Sequence, residues 1–187
     1  GNYLMSYRIL MEQSGRKFDG AGIDRSEPTI DQATDLNLDY SLIGAGDHRL
    51  RVLLMDDNEA YLQQMTRRFS PKTDGISQVQ LTTCNDPVLG IAHLEEATYD
   101  MLLIDYHMPQ VDGIKLFEWL RHDRTHPNQE IFKVMVTADP NVPQTTRLRI
   151  VNTGARVVSK SMSTEDLRLL VSEVMLRNSS AYRRSVV

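Results

Sequence analysis

Three aspartates, a threonine and a lysine stand at the ends of separate apolar runs in this 187-residue chain. Asp56 and Asp57 follow Val52–Met55. Asp105 follows Met101–Ile104, Thr137 follows Phe132–Val136, and Lys160 comes two residues after Arg156–Val158. If those runs are parallel strands of one sheet, their carboxyl ends bring three carboxylates, a hydroxyl and an ammonium together. Three carboxylates at one sheet edge repel one another unless a cation sits among them. Mg²⁺ suits such a place, because it takes one or two carboxylates, keeps waters and completes its shell with phosphate oxygens. A carboxylate in that setting can act as a nucleophile and accept a phosphoryl group. The charge that develops on the phosphoryl oxygens needs donors, and Lys160 and Thr137 can supply them. Each feature alone is commonplace: an Asp-Asp pair is usually a cap or a solvated turn. Their placement in order at four different strand ends is what points to a site.

The elements that must position these residues are regular from residue 51 onward. The five apolar runs, with Val79–Thr83 as the second, read as buried strands. Between them lie helical patterns. Asn58–Phe69 puts Tyr61, Leu62, Met65 and Phe69 on one face. Asp86-Pro87 opens a helix with Asp as N-cap and Pro at the first position. Gly113–Arg121 offers Ile114, Leu116, Phe117 and Leu120 for burial. Val142–Asn152 is a fourth helix closed by Gly154, and a fifth starts at Ser163, with Leu167, Leu170, Val171 and Val174 as its apolar stripe. Ser163 and Asp166 fall one methylene short of a capping box. Alternating strands and helices imply βαβ crossovers and a doubly wound α/β parallel sheet covered on both faces. Ligands of such sheets bind outside the carboxyl strand ends, where the acids lie.

Composition excludes several classes. The chain is 41% hydrophobic and 25% charged with net charge −4, so it lacks the basic footprint of a nucleic-acid binder. No apolar run approaches the ~20 residues of a membrane span, and no secretory signal opens it. Its single cysteine, Cys84, forms no internal disulfide, which fits a reducing, cytoplasmic setting. His48, His93, His107, His122 and His126 show no metal-ligand spacing. Met101, Met108 and Met135 read as packing. Residues 1–49 carry five Lys/Arg and eight Asp/Glu. They read as an N-terminal extension or linker with short helical stretches at Tyr3–Met11 and Thr29–Ile43. The expected domain is 50–177, and 178–187 is a tail too short for an output domain.

Four segments together resemble the receiver domains of two-component response regulators over about residues 50–177. They are Val52–Asn58, Leu103–Gly113 with its D-x-x-M-P-x-x-D-G pattern, Val134–Ala138, and Gly154-Ala155 followed by Lys160. The resemblance implies a flavodoxin-like five-stranded sheet of order 2-1-3-4-5. It implies that Asp105 is the phosphoacceptor and that Asp56, Asp57, Asp105 and the backbone carbonyl of His107 hold Mg²⁺. Thr137 and Lys160 would then hold the phosphoryl group. A histidine kinase or histidine phosphotransfer protein would be the donor. A downstream effector, an output domain outside this chain, or a second copy would read the outcome on the face of the fourth helix, fifth strand and fifth helix. Two residues depart from the family pattern. Ser161 stands where a proline usually constrains the backbone after the lysine, and Val157 stands where an aromatic usually switches rotamer. A protein-interaction module that does not switch by phosphate is therefore a second reading. The third is a phosphatase with an aspartate nucleophile; its usual second acid, two residues after the first, is here Asn58.

Overall fold

The computed structural model describes residues 49–70, 76 and 78–185, with side chains as far as Asn178. The expected helices at Tyr3–Met11 and Thr29–Ile43 lie outside the described residues. Strands β1 (Leu50–Met55), β2 (Val79–Cys84), β3 (Met101–Asp105), β4 (Phe132–Thr137) and β5 (Arg156–Ser159) alternate with helices α1 (Glu59–Arg68), α2 (Pro87–Glu96), α3 (Gly113–His122), α4 (Gln144–Asn152) and α5 (Thr164–Ser185). All strand pairs are parallel, and their order is β2-β1-β3-β4-β5. This is the doubly wound, flavodoxin-like sheet expected from the sequence.

Two apolar cores form because strand side chains alternate faces. Leu53, Met55, Leu102, Ile104 and Met135 pack with residues of α2, α3 and α4. Val52, Leu54, Leu103, Val134 and Val136 pack with α1 and α5. Burial at about 25 cal/mol per Å² of apolar surface makes these cores the main stabilising term. Helix starts are chemically marked. Asn58 accepts the Tyr61 amide, Asp86 accepts that of Val88 with Pro87 behind it, and Asp112 accepts those of Ile114 and Lys115. The Ser163 hydroxyl accepts the Asp166 amide at 3.0 Å while the Asp166 carboxylate accepts that of Ser163 at 3.2 Å. The aspartate thus closes a reciprocal capping box despite its shorter side chain.

Two helix bounds differ from expectation by more than one residue. α4 starts at Gln144 rather than Val142, because Pro143 has an extended backbone (ψ 142°) and donates no amide. α5 continues to Ser185, beyond the expected end of the domain at 177. Gly154 lies one residue past the α4 cap, Thr153, with a left-handed φ of 83° that favours glycine. A Cβ on Gly113 would lie 3.1–3.2 Å from Met135 and Ile104, so a glycine lets α3 start tight against β3 and β4.

Candidate functional site

Each strand end delivers its residue by a local device. Asp56 follows β1, its amide bonded to the Cys84 carbonyl and its Oδ1 accepting the Asn58 amide at 2.9 Å. Asp57 projects into solvent beside it, and Asn58 turns the chain into α1. Asn58 is therefore committed as a helix cap. Asp105 is the last residue of β3, the central strand, with its neighbour Tyr106 donating to the Val136 carbonyl at 2.7 Å. The loop from there to Asp112 turns through Gln110, which holds a left-handed φ of 68°. That conformation is uncommon for a non-glycine residue and stores backbone strain at the mouth of the site.

Ligand-capable oxygens of Asp56, Asp57 and Asp105 lie within 4.8 Å of one another. Lys160 follows β5 and reaches back across the strand ends. Its Nζ lies 2.6 Å from Asp56 Oδ2 and 3.3 Å from Asp105 Oδ1. It also sits 4.8 Å from the ring centre of Tyr61, a favourable place for a cation. Burial pushes the Asp56 carboxyl above its usual pKa and the Asp105 charge adds to this, while Lys160 and the Asn58 amide pull the other way. For Lys160, burial opposes the charge, but the two carboxylates outweigh it and raise its pKa. The cluster thus carries one ammonium against three carboxylates. Asp56 is fully buried, and its Oδ2, although ion-paired, lacks a well-aligned hydrogen bond. Hard oxygen donors, excess negative charge and an under-satisfied buried oxygen fit a Mg²⁺ ion.

The sequence-derived residues are not equally assembled. Asp56, Asp57, Asp105 and Lys160 come together. Thr137 is buried at the end of β4, and its hydroxyl is engaged by its own loop, accepting the Asp139 amide at 2.9 Å. His107 is exposed, two residues past Asp105, its ring edge-on to Tyr106. The backbone constraint expected to vanish with Ser161 is supplied in another way. The Ser159 hydroxyl lies 2.8 Å from that of Ser161 and accepts the Ser161 amide at 3.1 Å, while the Lys160 amide donates to the Thr137 carbonyl at 2.8 Å. Lys160 is held on both sides with every described peptide trans. Val157 is half-buried against the core.

Tyr61 is the site residue that the sequence reading assigned only to packing. Its hydroxyl is buried without a hydrogen-bond partner, and burial, then the Asp56 charge, push its pKa up to about 12. It therefore stays a neutral ring beneath the ammonium. The available signal was a polar-tipped aromatic on an apolar helix face, four residues after Asp57.

Comparison with known proteins agrees with this geometry. The response regulator receiver domain model matches residues 52–172. A stretch of 90 residues is 28% identical to Protein RcaC of Microchaete diplosiphon, covering 48% of this chain and 13% of that protein. Among solved structures, a CheY-like receiver domain protein from Methanospirillum hungatei JF-1 aligns with a TM-score of 0.58 at 22% identity, over 71% of this chain and 98% of that one. The signal receiver domain of an HD domain-containing protein from Pseudomonas fluorescens Pf-5 gives 0.59 at 22% identity, again over 71% and 98%. CheY4 of Vibrio cholerae gives 0.55 at 18%, over 67% and 98%. At these identities the solved structures speak for the fold. No described helix is long and apolar enough to cross a membrane. The family match covers well over half of the chain, and the chain belongs to the response regulator receiver domains, a family of two-component signalling domains.

Proposed function

We propose that this chain is a phosphoacceptor of a two-component phosphorelay, with Asp105 taking the phosphoryl group from a histidine kinase or a histidine phosphotransfer protein. The observation that carries this reading is the Lys160 ammonium set between Asp56 and Asp105 in a cluster of three carboxylates. An Asp105 oxygen attacks the phosphorus. The new O–P bond forms as the P–N bond of the donor phosphoimidazole breaks, and that electron pair stays on the imidazole nitrogen. Asp56, Asp57, Asp105 and the backbone carbonyl of His107 would hold Mg²⁺, which when bound neutralises charge on the phosphoryl oxygens.

The remaining steps belong to the chain. Once Asp105 is an acyl phosphate, its carboxylate charge no longer holds Lys160, whose ammonium follows the phosphoryl oxygens. The Thr137 hydroxyl exchanges the bond it donates to the Asp139 carbonyl for one to a phosphoryl oxygen. That exchange loosens the loop leading into α4. It can shift the α4–β5–α5 face only as far as the phosphoryl group favours one packing over the other. This face exposes Leu148 and Val151 on α4 and Leu169 and Leu176 on α5, apolar surface suited to an effector, an output domain or a second copy.

Acetyl phosphate labelling in Mg²⁺ tests the assignment. Wild type takes up label that chelation prevents, and Asp105→Asn takes up none. Metal-dependent labelling that survives the substitution would sink it.

Val157 favours a second reading, in which the pocket is intact but the face does not respond. A valine packed on the core has no ring to swing between two positions. Unchanged hydrogen exchange in α4 and unchanged oligomer mass after phosphorylation would establish that reading over the first.

A further inference from the structure

The pole of the sheet opposite the acids holds a second charged site. It is a cavity of about 450 Å³ where the ends of α3 and α4 meet the start of β4 and the outer half of α5. Arg121, His122, Arg124, Glu130, Lys133 and Arg177 line it, three guanidinium groups and a lysine against one carboxylate. Glu130 is itself engaged by Arg177 at 3.8 Å.

Lys133 is the anomalous member. Phe132, Val134 and Val136 face the α1/α5 core, so alternation puts Lys133 on the side of Met135, where a strand of this sheet ordinarily carries an apolar residue. The residue is only 7% exposed. Among the described residues no hydrogen bond or ion pair holds its ammonium; Arg121 and Arg177 repel it, and Glu130, which Arg177 also engages, is the carboxylate that attracts it. A largely buried ammonium among like charges, with one shared carboxylate to offset them, is costly. Multiply charged oxyanions satisfy such a group, and the forked guanidinium groups around it match their geometry. The volume falls in the range of roughly 300–1,000 Å³ typical of small-molecule sites. Its concave form suits a compact anion rather than a nucleic-acid backbone.

We propose that this pocket binds a small, multiply charged phosphate compound, pyrophosphate or the polyphosphate tail of a nucleotide, with Lys133 as the buried anchor. The ligand would bridge Gly154 at the end of α4 and Arg177 on α5. It would thus act on the same two helices as the Asp105 site, from the far end of the molecule.

Thermal unfolding of the full chain with metal chelated tests this. Sodium pyrophosphate and ATP are compared with adenosine and with sodium chloride at equal ionic strength. The expected result is a saturable rise in Tm with pyrophosphate or ATP, as for any ligand that binds only the folded state. Pyrophosphate alone marks a free-anion site; a stronger effect of ATP marks a nucleotide tail. Lys133→Met weakens the effect about tenfold or more, the size of one charge-assisted contact. Arg124→Gln, on an exposed residue, weakens it less and guards against misfolding of the first variant. Amide shifts in NMR should fall at 121–124, 130–133 and 153–154. A rise no larger than that in chloride, an effect undiminished in both variants, or shifts confined to Asp56, Asp57 and Asp105 would overturn the proposal.

Discussion

β3 and β5 each lead to a charge of the same cluster, yet they are built in opposite ways. Every residue of β3 is buried and none of β5 is. β3 lies between β1 and β4, whereas β5 pairs only with β4. The helix after β3 buries six residues and starts on an aspartate cap; the helix before β5 buries only Ile150, and Pro143, the residue before its first turn, offers no side-chain cap. A nucleophile gains from being fixed, because misplacement of a reacting atom is expensive in rate. Elements that move in response to chemistry come from the less stable parts of a fold. The carboxylate side of this pocket therefore rests on a buried central strand, and the lysine side on an exposed edge strand tied by a few hydrogen bonds.

The largest expected effect breaks that comparison directly. Leu103→Ala in β3 should cost about 2–5 kcal/mol of unfolding free energy, as for other buried leucines. Val157→Ala in β5 should cost less than about 1 kcal/mol, because its side chain is only half-buried. Urea titration of both variants checks the pair, and equal losses would remove the contrast. A smaller effect sharpens it. Ser159→Ala removes the acceptor of the Ser161 amide and should cost about 1 kcal/mol. It should also slow phosphorylation from acetyl phosphate by loosening Lys160; an unchanged rate would show that the serine pair does not position the lysine.

The smallest effect lies away from both strands. His126 is buried edge-on to Trp119, and its Nδ1 accepts the Asn128 amide at 3.0 Å, which requires a neutral ring. Burial lowers its pKa from 6.5, with Asp123 opposing. The folded state then binds fewer protons than the unfolded state. Stability from this group is full above pH 6.5 and falls as pH drops through that value toward the lower folded pKa. Denaturation midpoints measured across this window should decline in wild type and decline less in His126→Phe.

How much could be read beforehand depended on whether a residue acts locally. Asp86, Pro87 and Asp112 announce helix starts because a cap bonds two or three residues away, and they sit where the sequence puts them. The acids were legible because strand ends are marked by the apolar runs before them. Asn128 was not legible. Its side chain binds the Tyr99 amide and the Leu94 and Ala97 carbonyls, some thirty residues back in the chain. Lys133 was hidden for a related reason: one charge within an apolar strand does not alter the pattern, and its neighbours Arg121 and Arg177 come from α3 and α5. The engagement of Thr137 with Asp139 depends on the rotamer of one hydroxyl, which residue type alone does not specify.

The central claim is that Asp105, and not its acidic neighbours, receives the phosphoryl group. Borohydride reduction after acetyl phosphate treatment converts an aspartyl phosphate to homoserine, which peptide mass spectrometry locates. The account predicts homoserine at position 105 alone, dependent on Mg²⁺. Homoserine at Asp56 or Asp57, or none in fully folded protein with Mg²⁺ present, would contradict it.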